Sequence, residues 1–179
     1  MSYQPAGVYQ PDHWVIASHD PKYGPQRTGN TSITSNTAWV ANLAVYVPIW
    51  INRPGTIFEW FHFNGTLTTA HNLDFGLYNP DFTKVQTLGS TAGGTVASAL
   101  NNTTTWTNLD VAPGPYYMAF ADDSTRNITT SGDVAGLYQA MGMMEQTSSS
   151  FPLPATATPI AYTRAFLPYF GFTMRTITV

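Results

Sequence analysis

The stretch Trp39-Val40-Ala41-Asn42-Leu43-Ala44-Val45-Tyr46-Val47-Pro48-Ile49-Trp50-Ile51 decides the fold. From Leu43 onward it alternates with a period of two, the period of a β-strand. Leu43, Val45, Val47, Ile49 and Ile51 fall on one side, and Ala44, Tyr46 and Trp50 on the other. Both sides are apolar, so this reads as a central strand covered on both faces. Pro48 cannot donate to a ladder, which predicts a bulge or an open edge at that point.

The same period runs outward in both directions. Residues 13–18 read as a first strand, and residues 21–36 as a polar loop with Gly24-Pro25 and Gly29-Asn30 as turns. Arg53-Pro54-Gly55 is a turn, and residues 57–63 are a strand leading into Asn64-Gly65, a strong hairpin signal. In residues 71–78, Leu73, Phe75 and Leu77 point inward while Asp74 and Gly76 point outward. Asn79-Pro80-Asp81 turns into residues 84–88. Residues 89–105 read as thin strands with a wide loop, and Pro113-Gly114 turns into an aromatic strand over 115–121. Residues 164–179 close the chain, with Phe170, Phe172 and Met174 alternating. Only residues 133–146 look helical, and Gly136 and Gly142 weaken them to a turn of helix or a loop. Residues 151–159 are a Pro-rich extended connector. The sum is an all-β, antiparallel sandwich of about eight strands, jelly-roll-like, in one domain with an extended N-terminal arm over about residues 1–10.

Composition narrows the way of life. Of 179 residues only 9% are charged, while 43% are hydrophobic and 14% aromatic. A free globular domain usually carries about 25% charged residues. So weakly charged a surface suits contact with other chains or with sugar, and predicts a homo-oligomer. The net charge of −3 comes without a Lys/Arg cluster, which argues against nucleic acid as a partner. The apolar run over 38–51 is shorter than a bilayer span and is broken by Asn42 and Pro48, so no membrane partner is expected. The N-terminus has neither a basic n-region nor an apolar core, so no signal peptide is expected. There is no Cys, which excludes disulfides and thiolate metal sites.

Two pieces carry a resemblance. LDFGLYNPDFTK, residues 73–84, is a strand with Gly-Leu-Tyr running into a small acidic hairpin; LDVAPGPYYMAFADD, residues 109–123, is an aromatic strand. Together they resemble a pattern in jelly-roll β-sandwich structural proteins of tailed-phage virions, the head-decoration, fibre and tail proteins. The same pairing occurs in jelly-roll carbohydrate-binding modules. The resemblance covers residues 73–123, under a third of the chain, and brings no catalytic residues. It implies a sandwich used for assembly or adhesion. The expected role is a non-enzymatic virion structural protein, made in the host cytoplasm and assembled as a homo-oligomer, a trimer in the favoured case, against major capsid or tail proteins. A carbohydrate- or receptor-binding adhesion module that contacts a surface glycan is the alternative.

Constellations for other chemistry are thin. His13, His19, His62 and His71 would have to converge in threes or fours to hold a divalent metal. No Gly-x-Ser-x-Gly elbow is present for a hydrolase triad. Glu59, in an aromatic strand, lacks a second acid at a spacing suited to glycoside cleavage, and pairing with Arg53 is the plainer reading. Asp122-Asp123 at a strand end could hold calcium or simply shape a turn. The sequence therefore assigns no catalytic residue, no metal ligand and no cofactor. Of the five Trp, Trp39, Trp50 and Trp60 read as core or interface, and Trp106, in a Thr/Asn-rich stretch, as the exposed one. Tyr3, Tyr9 and Trp106 are the candidate partner or glycan contacts.

Overall fold

The computed structural model describes residues 13–16, 32–66, 70–103, 105–132, 136–147 and 151–176. These form an antiparallel β-sandwich. The long strands are β2 (Ser32–Ala38), β3 (Leu43–Ile51), β4 (Gly55–Phe63), β5 (Asn72–Tyr78), β10 (Gly114–Asp122), β11 (Asn127–Gly132) and β15 (Phe170–Thr176). Short ones fill between them: β1 (His13–Ile16), β6 (Lys84–Thr87), β7 (Thr91–Ala92), β8 (Leu100–Thr103), β9 (Leu109–Val111), β12 (Met144–Gln146), β13 (Ile160–Ala161) and β14 (Phe166–Pro168). The helical stretch shrinks to the four residues of α1 (Leu137–Ala140), in keeping with its glycines.

One sheet has the order β13-β12-β3-β10-β5-β6, with β7 also on β5. The second has the order β1-β15-β4-β8, with β9 also on β4. A three-stranded sheet, β14-β11-β2, closes one end. The first two face each other through aromatic rings. Trp60 of β4 stacks on Phe75 of β5 at 5.5 Å, and Phe120 of β10 meets Phe170 of β15 at 5.4 Å. The core continues through Leu43, Val45, Val47, Met118 and Phe172, and reaches Ile128 and Leu167 of the third sheet. Burial of each such side chain is worth about 1.5–3 kcal/mol.

The two resembling pieces of sequence lie side by side. β5 and β10 pair from Tyr78↔Tyr117 to Leu73↔Asp122, and β10 pairs on its other edge with all of β3. β3 is covered on both faces as its sequence predicts. Its odd-numbered residues enter the main core, while Ala44 and Tyr46 enter a second cluster on the opposite side of the sheet. Pro48 stands in unbroken register with Tyr117, and β12 pairs with β3 only from Ala44 to Tyr46. The proline therefore marks an open edge just past the end of β12 rather than a bulge.

Three local expectations are corrected. Residues 32–36, read as the end of a polar loop, belong to β2, which pairs with β11. Asn64-Gly65 does not close a hairpin, because β4 and β5 lie in different sheets. Instead Asn64 bridges to Ile128, and Gly65 donates to the Asn127 carbonyl at 3.0 Å. Asp74 and Gly76 do point out of the main core, but into the second cluster, and Asp74 is fully buried. The N-terminal arm over residues 1–10 lies outside the described residues.

Candidate functional site

Two features stand out: the outer face of the larger sheet, and a polar cluster at one end of the main core.

The outer face is built in rows by the strand register. Asp74, Ala121 and Ala44 form one row, Gly76, Ala119 and Tyr46 the next, then Tyr78, Tyr117 and Pro48, and last Pro115 with Trp50. Residues 151–157 lie across the first rows as a strap. Leu153 and Ala157 pack with Ala44, Tyr46, Tyr78, Ala119 and Ala121, and Phe82 closes over Tyr117 at 4.5 Å. The strap is pinned by its backbone. Leu153 N donates to Asp74 Oδ2 at 2.9 Å, Tyr78 Oη to the Pro154 carbonyl at 2.6 Å, Lys84 N to the Ala155 carbonyl at 2.9 Å, and Ala157 N to the Phe82 carbonyl at 3.0 Å. Close approach requires glycine at position 76, where a Cβ would stand 2.8 Å from Thr87 Cγ2 and 3.1 Å from Leu153 Cδ1. The cover stops short of the last row. Trp50 is 56% exposed, Pro115 is exposed, and Pro48 and Tyr117 are half-buried.

The polar cluster closes the inner face. His62 follows Trp60 on β4, and Asp122 follows Phe120 on β10. His71 stands just before β5, its ring 6.3 Å from that of His62. Arg126 Nε donates to Asp122 Oδ2 at 2.7 Å, with both side chains fully buried. The other carboxylate oxygen accepts from Ser124 N and Oγ, each at 2.9 Å. His71 Nε2 lies 3.8 Å from Asp122 Oδ2. His62 Nε2 is 3.1 Å from Asn64 Oδ1, and Asn64 Nδ2 donates to the Val96 carbonyl. Burial, with Arg126 and His71 nearby, pushes the His62 imidazole down to about 3, so it is held neutral. Burial also lowers Arg126, against the pull of Asp122. Beside this cluster lies an open cavity of about 340 Å³, lined by His71, Asn72, Thr95 and Asp123 among others.

Among the described residues the carboxylates are engaged in the fold. Asp123 accepts from Asn72 N and Nδ2, each at 2.8 Å, and Asp122 is held as above, so both shape the end of β10. Glu145 takes Arg164 at 3.0 Å and Thr163 at 2.8 Å. Glu59 is half-buried and accepts from Thr173 Oγ1 at 3.4 Å. Among the described residues no three His, Asp or Glu converge as metal ligands do.

Trp106 is not the exposed ring its polar surroundings suggest. It is 6% exposed, packs edge-on to Trp60 at 5.5 Å, and donates Nε1–H to the Ile57 carbonyl at 3.1 Å. Trp39 and Trp60 are core, and among the described residues the exposed indole is Trp50. In the sequence Trp50 reads as core or interface, and its alternation with Ala44 and Tyr46 does not separate a covered position from an open one. Tyr3 and Tyr9 lie outside the described residues, as does His19. No family, no curated protein and no solved structure matched this chain.

Proposed function

We propose that this chain is a non-catalytic structural subunit that assembles with copies of itself, in the role that tailed-phage virion sandwiches play on a head or tail. The observation that carries the assembly reading is the row of Pro115 and Trp50, which nothing among the described residues covers, on a face whose first rows lie under the strap. An indole left more than half in water, beside two prolines and a tyrosine, is a ring that contact with another chain would desolvate. Low charge keeps the cost of that desolvation small. Many copies on one particle would add avidity to individually weak contacts. The engagement of the acids in internal hydrogen bonds supports a structural role over a catalytic one. The virion setting, the jelly-roll connectivity and the trimer rest on the resemblance of residues 73–123. Native mass spectrometry of the purified chain tests the assembly. A multiple of 19.6 kDa is expected, three copies in the favoured case, and a lone 19.6 kDa species at high concentration would overturn it.

A second reading is favoured by the cavity beside His71. Asn72, Thr95 and Asp123 line it and supply polar groups of the kind a surface glycan would use, although Asn72 and Asp123 already bond to each other and no lining residue is a Trp or Tyr. Titration with a glycan array separates the two readings. Saturable binding lost in Asp123→Ala favours the second, and no binding favours the first.

A further inference from the structure

The strap shows what chemistry the outer sheet face accepts. Residues 151–157 read FPLPATA: no charge, two prolines in alternation, and an aromatic and a leucine as the large side chains. They lie extended over Tyr46, Tyr78 and Tyr117, joined by backbone hydrogen bonds at the sheet's edge. The next row of the same face, Trp50 and Pro115, continues the surface with the same character and has no such cover among the described residues.

A second stretch of the chain has the strap's composition. Residues 2–11 read SYQPAGVYQP: again no charge, prolines at 5 and 11, and Tyr3 and Tyr9 as the large side chains. Ten residues laid out extended reach about 33 Å, enough to cross several strands at about 4.8 Å each. The segment leads into His13 of β1, which belongs to the opposite sheet. His13 pairs with Met174, which pairs with Ile57 near the end of the sandwich where β3 finishes, so a reach of this length serves either the chain's own Trp50 or that of a neighbouring copy, and the assembly reading assigns it to the copy.

We propose that the uncovered row around Trp50 and Pro115, flanked by Pro48 and Tyr117, takes residues 2–11 of a second copy, laid down beside the strap as a second uncharged, proline-bearing cover. This rests on the assembly reading above and names its contact. Tyr rings against Trp50 and the prolines supply rigid apolar area with few side-chain torsions to immobilise. Each proline brings a φ already fixed by its ring, which lowers the ordering cost at that position. Docking in trans is either reciprocal, which gives a two-fold dimer, or head to tail, which closes into a ring such as a trimer when the rotation permits.

The test places a photo-crosslinker in the segment, Tyr9→p-benzoylphenylalanine, in the full chain. Natural-abundance and ¹⁵N-labelled proteins are mixed, exchanged and irradiated, and the same sample is weighed by native mass spectrometry. Mixed-isotope crosslinks from residues 2–11 to peptides carrying residues 48–50 or 115–117 are expected, and should fall at least tenfold when Trp50→Ala is added. Crosslinks confined to one chain, or to other surfaces, in a sample that is still multimeric would overturn the docking and leave the assembly reading standing. A sample that is a monomer throughout would remove both.

Discussion

The backbone N–H of Leu153 donates to Oδ2 of Asp74 at 2.9 Å, so one buried carboxylate ties the strap to the sheet it covers. Its other oxygen accepts from Gly89 N at 2.8 Å, which fixes the turn after β6 as well. Two backbone amides from distant parts of the chain thus converge on one outward side chain of β5.

That carboxylate makes stability depend on pH. Burial raises Asp74 from the usual 3.8 to about 6, so the folded chain holds a proton that the unfolded chain has released. Its contribution is therefore full below about pH 4 and is lost as the pH rises through 6, by about 3 kcal/mol in all. Asp74→Asn should remove this slope. In urea titrations, the advantage of the parent over the variant should be largest near pH 4.5 and shrink by pH 7.5. An advantage that grows with pH would contradict the account.

His62 acts in the opposite sense. Its imidazole is lowered to about 3, so between pH 6.5 and 3 the unfolded chain takes up a proton that the folded chain refuses. Stability contributed by His62 is present above pH 6.5 and falls with acid, by up to about 1.4 kcal/mol per pH unit. His62→Gln should lower stability at pH 7.5 through lost packing against Phe75 and Phe120, and should flatten the acid limb. Between pH 4 and 6 the two groups oppose each other. Asp74→Asn should therefore be more acid-sensitive than the parent, and His62→Gln less.

The Asp122–Arg126 pair closes the end of the core. Removing one partner of a fully buried pair leaves a charge without compensation and costs about 3–5 kcal/mol. Arg126→Met is expected to show that loss by thermal or urea unfolding. A change below about 1 kcal/mol would mean that Asp122 is compensated by other groups or is not sealed from water.

Gly93 is required by His71. A Cβ there would stand 1.9 Å from His71 Nε2, so Gly93→Ala must displace the ring or the β7 segment. Overpacking of this kind costs about 1–3 kcal/mol. The His71 side-chain resonances should shift with it, and an unperturbed spectrum would contradict the packing.

The sequence reading reached what alternation encodes. β3 carries its burial pattern locally, and its apolar second face announced a second cover; in β5 Leu73, Phe75 and Leu77 were read inward, but Asp74 and Gly76 on the other side are buried as well. What forms that cover was not legible, because Leu153 and Asp74 meet across 79 positions. Trp106 misled because its neighbours are polar while its indole reaches Ile57, 49 positions away. Asn64-Gly65 is a local hairpin signal overruled by competition for strand edges, since β4 is already flanked by β15 on one side and by β8 and β9 on the other. β2 was missed because Ser-Ile-Thr-Ser-Asn-Thr-Ala lacks apolar alternation and gains its place through β11. In the polar cluster, Asp122 was read only as a calcium ligand or a turn former, and its pairing with Arg126 and closure by His62 and His71 required the fold.

The central claim is that the Trp50 face is there to be covered by another copy. The most direct measurement is the solution mass of the parent chain and of Trp50→Ala, side by side, by light scattering across a range of concentrations. The account predicts a multimer of 19.6 kDa subunits for the parent. It predicts a shift toward monomer, with dissociation at least tenfold easier, for the variant. Because Trp50 is already 56% exposed, the unfolding free energy of the dissociated variant should stay within about 1 kcal/mol of the parent subunit's. A parent chain that remains monomeric at high concentration, or a variant that assembles as well as the parent, would contradict it.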